Sequence, residues 1–99
     1  MEEKLQKILA VTFNAITGCR PKEAAWVAVF GKPKKNYVKY EGFIHPYKIV
    51  MPSREIKTKT GRPYTWLIEK KYEYFAKALA LAKKPLSFKL MQNRLHYAF

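Results

Sequence analysis

The run Thr17-Gly18-Cys19-Arg20-Pro21-Lys22-Glu23-Ala24 constrains this chain more than any other stretch. It separates two apolar helical patterns and so dictates a helix, a corner and a second helix. Gly18 predicts the end of the first helix, because glycine accepts the left-handed conformation that closes many helices. Pro21 predicts the start of the second, because the first helical turn does not need the N–H that proline lacks. Arg20 then sits in the corner beside a helix N-terminus, where partial positive charge already disfavours a cation. Two positive features at one point suit an anion. The plain alternative is that Arg20 points into water.

On the N-terminal side, Leu5, Ile8, Leu9, Thr12, Phe13 and Ile16 recur at i, i+3, i+4 and i+7 spacing. They predict an amphipathic helix over residues 3–17 with those side chains inward. Residues 21–30 are apolar almost all round, which predicts a largely buried second helix ended by Gly31 and Pro33. Lys32 to Asn36 reads as a short basic loop. Tyr37 to Tyr40, Tyr47 to Met51 and Tyr64 to Ile68 read as strands, the second stopped by Pro52. Gly42 and Pro46 interrupt the chain between the first two. Thr60-Gly61-Arg62-Pro63 is a turn, which places Lys57, Lys59 and Arg62 at or near one hairpin tip. A third helix is expected over 69–83, and a last one over 87–98 with Ser87 as its cap. The expected fold class is therefore α+β, mainly helical with a small antiparallel three-stranded sheet, around residues 47–68.

Charge narrows the class of partner. The 99 residues carry 20 Lys and Arg against 7 Asp and Glu, a formal net charge of +13. An excess that large on one small domain predicts a polyanionic partner, most simply double-stranded DNA. The absence of an 18-residue apolar run argues against a membrane span. One cysteine cannot form an internal disulfide, which fits a reducing, intracellular compartment such as nucleoid or nucleus. Cys19 with the distant His45 and His96 makes no zinc site. Trp26, Trp66 and Met51 lie in apolar runs and read as core.

With the elements in order, the chain resembles the catalytic domain of tyrosine recombinases, the phage-integrase family. Thr17, Gly18, Arg20 and Glu23 match the first box of that family, and Lys59-Thr60-Gly61 matches its hairpin-lysine motif. Met51 to Ile68 reads as its second and third strands. The likeness covers the whole chain but only the first half of the family's domain. The family's later His-x-x-Arg box is absent, and none of the seven tyrosines matches the nucleophile context. The resemblance implies DNA cleavage and rejoining through a phosphotyrosyl intermediate, without metal or other cofactor. It implies that Arg20 stabilises the charge that builds on the phosphorane, a task for a fixed multi-donor cation. It implies that Lys59, or Lys57 as the alternate, protonates the leaving 5′-oxygen. Glu23 would brace the corner.

Lys32, Lys34, Lys35, Arg54, Lys57 and Arg62 are expected to contact DNA phosphates. The resemblance further implies a chain that is inactive alone and that self-associates through an incomplete core, exposed on its last helix. Two other readings stay open. One is a non-enzymatic basic module for nucleic acid, which the charge and interleaved aromatics fit without any catalytic residue. The other is part of a type IB topoisomerase, which uses similar chemistry.

Overall fold

The computed structural model describes residues 2–55 and 62–95. The order is α1 (Glu2–Thr17), α2 (Pro21–Phe30), β1 (Lys34–Tyr40), β2 (Phe43–Met51), β3 (Tyr64–Ile68), a 3₁₀ turn (Lys70–Tyr72), α3 (Glu73–Leu81) and α4 (Phe88–Leu95). The strands form one antiparallel sheet in the order β1-β2-β3. This is the α+β fold expected, with four helices and a small three-stranded sheet. Lys57, Lys59, Thr60 and Gly61, and residues 96–98 of the expected last helix, lie outside the described residues.

α1 departs from its predicted orientation. Its buried face is Gln6, Leu9, Ala10 and Phe13, while Leu5 and Ile8 stay 42% and 49% exposed. The face is rotated because Gln6 is wanted inside. Its Nε2 donates to the carbonyls of Ala28 (3.2 Å) and Leu86 (3.1 Å), and its Oε1 accepts the Leu86 N–H (2.9 Å). One fully buried amide thus ties α1 to the end of α2 and to the segment before α4. Phe13 does the same for the sheet. Its ring meets Trp66 of β3 edge-on at 5.1 Å and stacks on Phe75 of α3 at 5.5 Å. α2 is buried from Glu23 to Ala28, as its composition predicts.

The sheet begins earlier than predicted. Lys34 and Lys35 are in β1 rather than in a basic loop, and β2 runs straight through Pro46. Proline cannot donate to a ladder, so a central strand tolerates it only at an irregularity. β1 supplies one. Lys35 pairs with Tyr47 and Val38 with His45, which leaves Asn36 and Tyr37 opposite Pro46 alone. This is a bulge, and Tyr37 pays for it with a left-handed φ of +48°. Pro46 also lies beyond the β3 ladder, which begins at Tyr47–Ile68. The two strands then close on a two-residue turn, Glu41-Gly42, with φ of +52° and +86°. Positive φ at both central residues is the type I′ geometry that suits strand twist.

The later helices are shorter than their sequence patterns. The predicted 69–83 helix starts as a 3₁₀ turn and ends at Leu81. Lys84 folds back so that its Nζ donates to Leu79 O (3.0 Å) and Ala82 O (3.5 Å), satisfying carbonyls at that end. In α4 the Ser87 Oγ accepts the Leu90 N–H (3.3 Å). Met91 and Leu95 are buried, so the inner apolar face of α4 is already covered within the described fold. Leu90 of α4 stays 46% exposed, and residues 96–98, which complete the expected face, lie outside the described residues. Exposed apolar side chains elsewhere include Leu5, Ile8 and Val11 of α1 and Leu81 of α3.

Two stability measurements test these assignments. Gln6→Leu keeps the volume but strips partners from Ala28 O, Leu86 O and Leu86 N–H. Chemical denaturation should show a loss of about 3 kcal/mol. Glu41→Asn, better suited to left-handed φ, should raise stability by about 0.5 kcal/mol in the same assay.

Candidate nucleic-acid interface

The Arg20 corner is held by hydrogen bonds from both helices. Gly18 takes φ +69° and its N–H donates to Asn14 O (2.8 Å). Asn14 Nδ2 donates to Cys19 O (2.6 Å). Thr17 Oγ1 donates to Phe13 O (2.7 Å) and accepts the Cys19 N–H (3.2 Å). Glu23, buried at the third position of α2, accepts the Arg20 N–H with Oε1 (3.0 Å). That is half of a capping box. The other half needs an acceptor at Arg20, and a guanidinium carries only donors. The Arg20 backbone is thereby fixed while its side chain is exposed, and no ion pair among the described residues involves it.

Cys19, inside the corner, is half-buried and its thiol pKa is pushed above the ordinary 9.0, chiefly by burial. The folded state therefore favours the neutral thiol. Its contribution to stability is full below pH 9.0 and falls as pH rises past it.

The sheet carries a second set of cations. Cross-strand partners share a face. Tyr47, Ile49 and Met51 of β2 pair with Ile68, Trp66 and Tyr64, and Ile49, Met51 and Ile68 are buried, so this face meets the core. The opposite face carries Lys34 directly across from Lys48, with Lys39 further along beside Ile44. Like charges placed opposite each other destabilise a sheet, and no described ion pair relieves them. Four of the seven acids are engaged elsewhere. Glu2, Glu69 and Glu73 pair with Lys83, Lys71 and Lys77, and Glu23 caps the corner.

The remaining predicted residues are spread out. Lys32 is exposed just after α2, close enough to Lys84 to lower that amine's pKa, though burial of Lys84 lowers it more. Lys35 is exposed on β1. Arg54 and Arg62 are exposed beside the Met51–Tyr64 end of the sheet, the end away from the Glu41-Gly42 turn. Arg94 lies with Lys4 and Lys7 around a groove of about 440 Å³ on α1. Thr17 lines a different cleft, of about 400 Å³, with Tyr40, His45, Trp66 and Glu69. None of the predicted arginines or lysines among the described residues lines that cleft. The structure gathers Lys34 and Lys35 on one strand but does not draw Arg20 to Arg54 and Arg62 by any hydrogen bond described.

Lys48 and the exposed aromatics Tyr37, Tyr40 and Phe43 are the surface residues that sequence reasoning missed. Among the described residues no set of three His, Cys, Asp or Glu side chains gathers as metal ligands, and no helix is long and apolar enough to cross a membrane. Comparison of the chain with family models, curated proteins and solved structures returns no match.

The corner predicts a slow thiol. Iodoacetamide at pH 8 should modify Cys19 more slowly than free cysteine, with the rate rising to the free value in denaturant, followed by mass spectrometry.

Proposed function

We propose that the chain binds double-stranded DNA, and that it supplies the phosphate-holding arginine of a strand-transfer site of the tyrosine-recombinase kind. The observation that carries this reading is Arg20. Its backbone is pinned on both sides, its guanidinium is exposed at the N-terminus of α2, and no described acid neutralises it. A pre-positioned, permanently charged donor fork costs no reorganisation when negative charge develops on a phosphate. The Lys34, Lys39 and Lys48 face of the sheet supplies the non-specific grip on the duplex, with Lys35 on the other face of the same strand. Lys59, or Lys57, remains the proposed proton donor, and Lys32, Arg54 and Arg62 proposed phosphate contacts. Glu23 acts through the corner and not on the substrate. The order of elements, with helix, arginine corner, helix and three-stranded sheet, supports the same reading.

The basic-module reading shares the DNA surface and is favoured by the Lys34–Lys48 juxtaposition, which calls for an anion without calling for catalysis. Charge-conserving substitution separates the two. In the protein that carries this chain, Arg20→Lys should leave duplex affinity within about threefold but reduce phosphotyrosyl adduct formation on a nicked suicide duplex by about 10²-fold or more. Unaltered adduct formation in Arg20→Lys would remove the catalytic assignment. The DNA surface is tested separately by fluorescence anisotropy across a salt series. Lys34→Ala with Lys48→Ala should lower the slope of log K against log salt by about 2.

A further inference from the structure

Beyond β3, the β1–β2 ribbon has no third strand beside it among the described residues. β3 pairs only with residues Tyr47 to Met51, so the pairs Val38–His45, Lys39–Ile44 and Tyr40–Phe43 project past it. A solvated ribbon end should be polar, yet this one is not. Tyr37, Tyr40 and Phe43 are 64%, 53% and 61% exposed. Tyr40 and Phe43 are direct cross-strand partners, so their rings leave the ribbon on one face beside a stiff type I′ turn. His45 meets the Tyr40 ring edge-on at 6.1 Å and props it from behind. Tyr37 sits in the bulge with a strained φ, and such strain collects where a fold is spent on function.

The geometry points to the end of this ribbon as a wedge that stacks on bases of DNA at an easily unstacked step, Phe43 being the leading side chain and Tyr40 its support. This rests on the DNA-binding reading and adds what the ribbon does there. Lys35 lies on the same face of the ribbon as the rings and Lys34, Lys39 and Lys48 on the opposite face, the Lys34–Lys48 pair about 17 Å from the tip, five residues of strand. They can hold phosphates while the tip reaches bases. Glu41, at the apex, is repelled by phosphate and so disfavours a purely backbone contact there. Apolar wedges entering base steps are an established route to kinked duplexes, and pyrimidine–purine steps yield most easily. Aromatic stacking is also tolerant of sequence, since every base has a π-face.

The test uses the full chain and a duplex with 2-aminopurine at a central TA step, read by fluorescence as the base unstacks and by anisotropy for binding. The wild-type chain should raise the fluorescence at saturation. Phe43→Ala should abolish the rise and weaken binding about tenfold, the order of one lost base contact, with the salt slope unchanged. Phe43→Trp should retain the rise. Leu81→Ala, exposed on α3, should behave as wild type. Lys34→Ala with Lys48→Ala should weaken binding and lower the slope yet keep the rise once saturated. Circular dichroism checks that each variant is folded, and Phe43→Leu serves if Phe43→Ala is not. Binding without a fluorescence rise, or a rise that survives loss of the aromatic ring, overturns the wedge and leaves the DNA reading standing. No binding at all overturns both.

Discussion

The buried amide of Gln6 is the interaction on which the rest of the arrangement depends. A primary amide offers two donor hydrogens and an acceptor oxygen, and here both atoms are used on backbone groups 22 and 80 residues away in sequence. Buried polar groups cost stability unless they are paired, so the site accepts one geometry and penalises its neighbours. That is why α1 turns Leu5 and Ile8 outward, against the pattern of its own apolar spacing. Once Gln6 is fixed, Phe13 two turns later falls between Trp66 and Phe75. Thr17, one further turn on, then reaches back to Phe13 O and holds the start of the corner. The position of Arg20 is inherited from an amide fourteen residues earlier.

Much of the fold was legible because it is written in local chemistry. Gly18 and Pro21 announced the corner, and the apolar run of α2 announced its burial. Tyr64 to Ile68 was legible from β-branched and aromatic residues alone. What was hidden required long-range partners. The rotation of α1 depends on Leu86 and Ala28, which no window around Gln6 contains. β1 was cut short by reading Lys32 to Asn36 as a basic loop, and β2 by Pro46, a sound local inference. It failed because Asn36 and Tyr37 bulge across from it. The turn at Glu41-Gly42 was half visible in the glycine, but glutamate at a left-handed position is not a turn signal.

The site divides along the same line. Arg20 and Glu23 could be singled out because their roles follow from position in a corner and a helix start. Lys34 and Lys35 were noticed only as charge, and were assigned to a loop. Their meaning depends on register. Lys48 looks like an ordinary exposed residue of an alternating strand until pairing sets it opposite Lys34. Tyr40 and Phe43 look like strand-forming residues until the short length of β3 leaves them without a neighbour. In each case the residue type was plain and the third dimension supplied the placement.

The cross-strand lysines also connect stability to binding. In the free chain Lys34 and Lys48 repel each other, and the charge of Lys32 adds to burial in lowering the Lys84 pKa. Sequence offers few acids to offset this, and the Lys71–Glu69, Lys77–Glu73 and Lys83–Glu2 pairs lie on or beside the helices, where exposed pairs contribute little. A polyanion placed against the sheet removes the repulsion that the folded state otherwise carries. By linkage, a ligand that binds the folded chain and not the unfolded one stabilises it in proportion to its affinity. The charges that make the sheet a poor structure in isolation are, in the proposed reading, the ones that hold phosphate. Replacing them with neutral residues should stabilise the free chain while weakening the complex. The two effects have opposite signs because both draw on the same electrostatic free energy.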